Sequence, residues 1–198
     1  MAIKKRPVSP RQKMINLMYV VLMAMLALNV STEVLNGFSI VEESLNRTTA
    51  NATKENQAIY DDFAEQMKKN PQKVKQWFDK SQQVKQMSDE LYQLAADLKQ
   101  AIVEEADGKD GDVQNIRNKE DLEAANQVML SPSGGRGKEL YNAINRYREQ
   151  LLTMVTDEHQ KQAIASNLTT EIPKNAQTLG KNWQEYMFES MPAAAAVT

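Results

Sequence analysis

An uncharged, apolar run near the amino terminus is the feature that most restricts how this chain can fold. No charged residue occurs from position 14 to position 32. As a helix, such a run would be roughly 28 Å long, close to the hydrocarbon thickness of a bilayer. Basic residues at positions 4, 5, 6, 11 and 13 precede it, and positive flanks stay in the cytoplasm. We therefore predict a basic cytoplasmic segment over residues 1–13 and a transmembrane helix over residues 14–35 of a bacterial inner membrane.

A cleaved signal peptide is the alternative interpretation, because a basic segment followed by an apolar run also directs secretion. A signal peptidase prefers small residues at alternate positions before its cut. The candidate sites Met25-Leu26-Ala27 and Leu26-Ala27-Leu28 lack that pair, and the apolar run passes without a break into a helical pattern. We therefore predict an uncleaved single-pass anchor, with residues 36–198 forming a periplasmic domain.

Polar residues occur along one side of the predicted transmembrane helix. A polar side chain in lipid costs free energy unless it has a partner. At about 100° per residue, Arg11, Tyr19, Asn29 and Glu33 fall within roughly a quarter of the helix surface. This polar stripe indicates contact with a partner protein. Taken one at a time, the same residues also fit simpler roles, as a positive-inside anchor, an interfacial aromatic or a carboxylate at headgroup level.

Small residues lie on the opposite side of the same helix. Ala24, Ala27 and Ser31 fall together by the same arithmetic, and small side chains at this spacing let two helices approach closely. We therefore predict that this side packs against the same helix of a second copy, as in a homodimer.

The rest of the chain has the pattern of an all-α protein. Only 7 Gly and 6 Pro occur among 198 residues, and no alternating apolar segment persists long enough to predict a strand. The transmembrane helix is predicted to continue to Asn70, and a second helix to run from Pro71 to Asp107, with further helical segments at 119–130, 140–155, 157–168 and 173–189. The predicted core residues of the second helix are Trp77, Val84, Leu91, Leu98 and Ile102. The simplest packing is an antiparallel helical bundle standing on the membrane helix.

Motifs for catalysis or metal binding are weak. The chain has no cysteine, and its single histidine, His159, is too little for a histidine-based metal site or a catalytic triad. The stretch 134–138 resembles a phosphate-binding loop but has Glu139 in the hydroxyl position, and we expect a flexible surface loop there. We predict no enzyme activity, no catalytic or metal-binding residue and no cofactor, and a net charge of -2 gives no reason to expect nucleic acid.

The amino-terminal residues carry a resemblance to a known family. Residues 10–19, 24–31 and 33–35 resemble, without a gap, the signature of the GldM/PorM family of the Bacteroidetes type IX secretion and gliding machinery. The similarity extends more loosely to Trp183, Phe188 and Pro192. Members of this family are usually longer, with several β-rich periplasmic domains after a helical one, so we expect a carboxy-terminally truncated sequence.

The resemblance implies a proton-driven motor subunit of the inner membrane. GldM-like proteins form dimers whose transmembrane helices sit inside a ring of a GldL- or PorL-like multi-pass partner. Through their distal domains they reach periplasmic and outer-membrane type IX components. Arg11 and Tyr19 match intramembrane polar positions of the family. We assign proton coupling and partner contact to these two and to Asn16, Asn29 and Glu33, with Arg11 as the counter-charge of a partner carboxylate.

A passive role is the alternative function. A helical bundle on a membrane anchor also fits a scaffold or sensor that binds an envelope partner and does no work. Composition and helical periodicity are compatible with both functions. The polar stripe and the family resemblance favour the motor.

Overall fold

The computed structural model describes residues 9–28 and 32–198, and the regular secondary structure of these residues is entirely helical. The predicted all-α class is therefore confirmed for this part of the chain. In order, the helices are α1 (Pro10–Leu28), α2 (Thr32–Lys69), α3 (Pro71–Asp107), α4 (Ala124–Leu130), α5 (Gly137–Met154), α6 (Glu158–Asn167), α7 (Lys174–Thr178), α8 (Trp183–Phe188) and α9 (Ala193–Ala196).

Helices α2 and α3 form a long hairpin. They contain 38 and 37 residues, so each is roughly 57 Å long at the ordinary rise of an α-helix. The break between them is at Asn70, which has φ -146° and ψ 72°, because a residue before proline avoids helical backbone angles. Pro71 then opens α3, where its missing N–H is not needed. Both boundaries were predicted from the sequence and are confirmed.

The hydrophobic core lies around the carboxy-terminal half of α3. Leu98, Ile102 and Val103 of this helix are buried. They pack against side chains that the chain supplies much later, from the loop after α3 and from the short helices: Ile116, Ala124, Ala125, Met129, Phe188, Ala193 and Val197. Leu98 and Ile102 were predicted core residues. Trp77 was predicted to be buried on the same stripe and is 58% exposed, because the layer that covers α3 ends before it.

Two predicted helical segments have different limits in the structure. The segment predicted to begin at residue 119 becomes helical only at Ala124, where the Asp121 carboxylate accepts hydrogen bonds from the N–H groups of Glu123 and Ala124 at 2.8 and 2.9 Å. The segment predicted over 173–189 is divided into α7 and α8, with Gly180 between them at φ 75°. A left-handed residue ends a helix, and glycine adopts it at little cost.

The loop after α3 is tied to the end of that helix by one carboxylate. The side chain of Asp107 has no exposed surface. Its two oxygens accept hydrogen bonds from the backbone N–H groups of Arg117 and Asn118, at 2.7 and 2.8 Å. Because a carboxylate removed from water is costly unless it is hydrogen-bonded, these bonds fix the loop to the end of α3.

The last residues of the sequence complete this core. Ala193 and Val197 are fully buried, and the N–H groups of Ala193 and Ala194 donate to the carbonyl oxygens of Asp121 and Lys119 at 2.8 and 3.2 Å. This segment is thus a short helix, α9, that packs within the bundle.

Candidate functional site

Helix α1 has an uncovered apolar surface. Its eight exposed large side chains are Met14, Leu17, Met18, Tyr19, Val20, Val21, Leu22 and Met23. Soluble monomers rarely leave a contiguous apolar surface of this size exposed, and such surfaces mark contact with protein or membrane. Helix α1 is therefore a candidate interface.

Polar groups occupy the first turns of α1. Arg11 is exposed, and Tyr19 lies two turns later and about 80° around the helix. Asn16 is engaged within the helix, since its Oδ1 accepts a hydrogen bond from Nε2 of Gln12 at 3.2 Å. Of the predicted contact residues, these three share one helix. Their role in proton coupling stays a prediction.

The structure describes the other predicted residues of this helix only in part. Asn29 and Ser31 lie outside the described residues, and Ala24 and Ala27 belong to α1 without a description of their side chains. Glu33 lies in the first turn of α2, where a carboxylate interacts favourably with the positive end of the helix dipole. The continuous helix through residues 29–31, the single polar stripe and the small-residue face all stay predictions.

The described helices do not by themselves identify a membrane span. Helix α1 contains 19 residues, and over residues 9–28 and 32–198 no helix meets both the length and the apolarity required to cross a bilayer. The transmembrane assignment of residues 14–35 consequently remains a prediction from the sequence.

Helix α2 begins with a well-packed foot, formed by Leu35, Ser39 and Glu42. Leu35 is buried, and Ser39 Oγ accepts a hydrogen bond from Nζ of Lys119 at 2.9 Å. Burial raises the pKa of the Glu42 carboxyl, and the nearby charges of Lys99 and Lys119 partly oppose this rise. The foot therefore joins the first turns of α2 to α3 and to the loop that covers the core.

Beyond the foot, α2 is uncovered for about five turns. Every residue from 43 to 59 is exposed, and an open groove of about 990 Å³ lies between this stretch and α3. Contact resumes near the far end of α2, where Nζ of Lys85 lies 5.2 Å from the ring centroid of Tyr60. Helix α2 is thus held near both ends and faces solvent in its middle.

Structural contacts occur near both stretches that were considered for catalysis. Asp157, two residues before His159, caps α6 by accepting a hydrogen bond from the N–H of Gln160 at 2.9 Å. The loop over residues 131–136 is exposed at 132–134 and packs closely at Gly135, and its expected flexibility stays a prediction. A Cβ atom at Gly135 would lie 2.7 Å from the Met129 carbonyl oxygen. Within the described ranges, no three His, Cys, Asp or Glu side chains form a metal-binding group.

Two features of the structure could not be predicted from the sequence. The contact of Lys119 with Ser39 joins residues 80 positions apart, and helical periodicity does not predict which lysine meets which hydroxyl. The exposure of Trp77 was also missed, since its spacing from Val84 and Leu91 is that of a core residue.

Most of the chain matches one known protein family. The family model described as the GldM N-terminal domain matches residues 33–198. The match thus covers α2 to α9 and begins after α1. A comparison with curated proteins finds no match.

Proposed function

The chain belongs to the GldM family, whose members take part in type IX secretion and gliding, and on this premise we propose that it is the membrane motor subunit of that machinery. In this proposal a dimer places its two α1 helices inside a ring of a GldL-like multi-pass protein in the inner membrane. The proton-motive force moves the dimer, and residues 36–198 carry the motion into the periplasm.

The uncovered apolar surface of α1 is the observation that carries the proposal. Its side chains stay exposed in the described chain, so they add further hydrophobic free energy only when something else covers them. A ring of apolar helices is such a cover. A lipid anchor alone accounts for Arg11 as a positive-inside residue, so the polar groups of α1 favour a protein cover only when they are taken together with Tyr19 on one side of the helix.

Arg11 has the properties of a counter-charge. It is exposed on the first turn of α1, and guanidinium stays charged at any physiological pH. A cation beside a carboxylate of the partner lowers the pKa of that carboxylate. Protonation of the carboxylate would then remove the attraction, so each passing proton would release α1 from one partner subunit and allow it to engage the next.

The energy of this step sets how many protons are needed. Moving one charge through a potential of 100 mV releases about 2.3 kcal/mol. This is similar to the strength of a single well-formed charged hydrogen bond. One proton can therefore break one such contact, and sustained work on an outer-membrane partner requires several protons.

Helix α2 has the dimensions of a lever. It follows α1 after three residues and is roughly 57 Å long. Its foot is fixed to the bundle through Leu35 and the Ser39–Lys119 hydrogen bond, so a torque applied to α2 would turn the whole bundle. Distal periplasmic domains, which the family resemblance implies, would receive this motion and pass it to outer-membrane components.

Replacement of Arg11 by alanine tests the motor directly. We expect Arg11→Ala to abolish type IX secretion in the native host while the chain still co-purifies with its ring partner, because the apolar surface of α1 is unchanged. Lys13→Ala is the matched control, since Lys13 is a basic residue of the same helix about 200° away from Arg11. Loss of the complex in Arg11→Ala, or equal loss of secretion in Lys13→Ala, would contradict the assigned role.

The composition of the native complex separates the motor from the passive scaffold. The measurement is mass spectrometry of the intact assembly, extracted from host membranes in detergent. Two copies of this chain with several copies of a small multi-pass protein that has an intramembrane glutamate are expected for the motor. Recovery of the chain alone, or with soluble envelope proteins only, would favour the scaffold.

A further inference from the structure

We propose that the hairpin tip, defined as residues 68–80, binds a carboxylated polysaccharide of the cell envelope. The tip contains the last two residues of α2, the turn at Asn70 and the first three turns of α3. The inference does not depend on the motor. It requires only that the tip lies in the envelope, as expected for a member of this family.

The tip is basic, whereas the rest of the bundle is acidic. Five lysines and one acidic residue, Asp79, occur between positions 68 and 80. The other residues from position 14 onward include 14 lysines and arginines against 25 aspartates and glutamates. An anionic polymer would therefore be repelled by most of the surface and attracted to the tip, because like charges oppose association and opposite charges steer it.

The lysines of the tip are available for a ligand. Lys68, Lys73 and Lys75 are exposed, and among the described residues none of them has a carboxylate partner. Lys69 makes a contact of 3.7 Å with Glu65, in which both side chains are about 70% exposed, and such surface pairs contribute little. Several free ammonium groups thus surround the turn, at a spacing of one or two helical turns.

Trp77 provides an aromatic platform between these charges. Lys73, Trp77 and Lys80 are spaced by four and three residues and so share one face of α3. Nζ of Lys80 lies 5.3 Å from the centroid of the indole ring and donates a hydrogen bond to the Met154 carbonyl oxygen at 3.3 Å. Lys80 therefore holds the ring against the bundle while more than half of Trp77 remains exposed.

A polysaccharide fits this platform better than an acidic protein does. Specific protein interfaces bury about 800 Å² on each side around an apolar centre. Trp77 is the only large apolar side chain of the tip that is mostly exposed, so the apolar centre of such an interface is missing. A sugar ring needs a smaller apolar contact than a protein interface does. Its weakly positive C–H groups pack on the negative face of one aromatic ring, and its carboxylates pair with the flanking lysines.

Binding of defined polymers to the purified 198-residue chain in detergent tests this proposal. The probes are polygalacturonate as the carboxylated polysaccharide, dextran as the neutral one and poly-L-glutamate as the acidic polypeptide. We expect polygalacturonate to bind more tightly than poly-L-glutamate, dextran not to bind, and added salt to weaken the polygalacturonate complex. Trp77→Ala should weaken polygalacturonate binding about tenfold and leave poly-L-glutamate unchanged, whereas Lys73→Gln with Lys75→Gln should weaken both.

Matched variants away from the tip complete the test. Tyr92→Ala removes an equally exposed aromatic side chain of α3, and Lys54→Gln with Lys109→Gln removes two exposed lysines elsewhere. Both should leave binding unchanged, and all variants should keep the helical circular dichroism and melting temperature of the native chain. Tighter binding of poly-L-glutamate would indicate an acidic protein partner and overturn the proposal. Failure of polygalacturonate to bind, or its indifference to Trp77→Ala, would also overturn it.

Discussion

Helix α1 and the second half of α3 are both rich in apolar residues, yet their surroundings are opposite. Leu98, Ile102 and Val103 of α3 are almost completely buried. On α1, Met18 and Met23 remain about 70% exposed. The chain supplies partners for α3 from residues 116–197, whereas the described residues leave these side chains of α1 exposed.

This contrast separates two uses of apolar surface. The side chains of α3 stabilise the folded bundle, because their burial removes apolar area from water when the chain folds. The side chains of α1 contribute nothing of this kind until another molecule covers them. Substitutions in the two regions should therefore affect different measurements, and three pairs of variants, each with a more buried and a more exposed member, test the effect of burial within the bundle.

The largest effect is expected for the core. Ile102 is 1% exposed and Ile40 on α2 is 69% exposed. Ile102→Ala should lower the free energy of unfolding by about 2–5 kcal/mol, since it removes buried methyl groups and leaves a cavity. Ile40→Ala should change it by less than about 0.5 kcal/mol. Urea unfolding followed by circular dichroism measures both, and equal losses would contradict the described burial.

A smaller effect is expected for the carboxylate that fixes the loop after α3. Asp107→Ala removes the acceptor of two backbone N–H groups and should lower the free energy of unfolding by about 1–3 kcal/mol. Asp110 is the control, because it also pairs with Arg117 but is 80% exposed. Asp110→Ala should leave the unfolding midpoint unchanged. Hydrogen exchange at Arg117 and Asn118 should accelerate only in Asp107→Ala, and protection of both amides in that variant would contradict this role of Asp107.

The smallest effect is expected at the foot of α2 and depends on pH. Burial raises the pKa of Glu42 above its ordinary value, so the folded chain binds this proton more tightly than the unfolded chain. The stability gained from protonation is complete below the ordinary pKa and is lost as the pH rises through the folded value. Because Glu42 is largely solvated, the effect should stay below about 0.5 kcal/mol.

Replacement of Glu42 by glutamine isolates this effect. Near neutral pH, Glu42→Gln should melt slightly higher than the native chain, and the difference should vanish at about pH 3.5, where the native carboxyl is protonated too. Glu43→Gln is the control, because Glu43 is exposed and pairs only with Arg47 across one turn. A lower melting temperature for Glu42→Gln at neutral pH would mean that attraction to Lys99 and Lys119 outweighs burial.

Local signals in the sequence located most helix ends. Pro71 marks the break of the hairpin, and Gly108 ends α3 at φ 94°, a conformation that glycine adopts easily. The missed boundaries had side-chain causes. The Asp121 carboxylate accepts hydrogen bonds from the N–H groups of Glu123 and Ala124 at the start of α4, and Asn182 forms a capping box with Glu185 at the start of α8. These two side chains were not predicted as capping groups, because neither residue lies directly before a long apolar pattern.

Only the part of the candidate site that is continuous in the sequence could be predicted. The apolar run of α1 and the positions of Arg11, Asn16 and Tyr19 follow from the sequence. The foot of α2 does not, because the partners of Ser39 and Glu42 lie 57 to 80 residues away in the chain. The exposed Trp77 was predicted as core, since the periodicity of a helix gives the direction of a side chain and not the extent of the layer that covers it.

The sequence by itself determined that the chain is helical and that the long hairpin turns at Asn70 and Pro71. It also determined which helix has an uncovered apolar surface. Propensity, proline and glycine effects and apolar periodicity act over a few residues, so they can be read directly. Only the tertiary structure decided that α9 fills the core, that Lys119 holds the foot of α2 and that Trp77 stays more than half exposed beside the lysines of the tip. These outcomes depend on which distant segments approach each other, and that follows from the packing of the whole bundle.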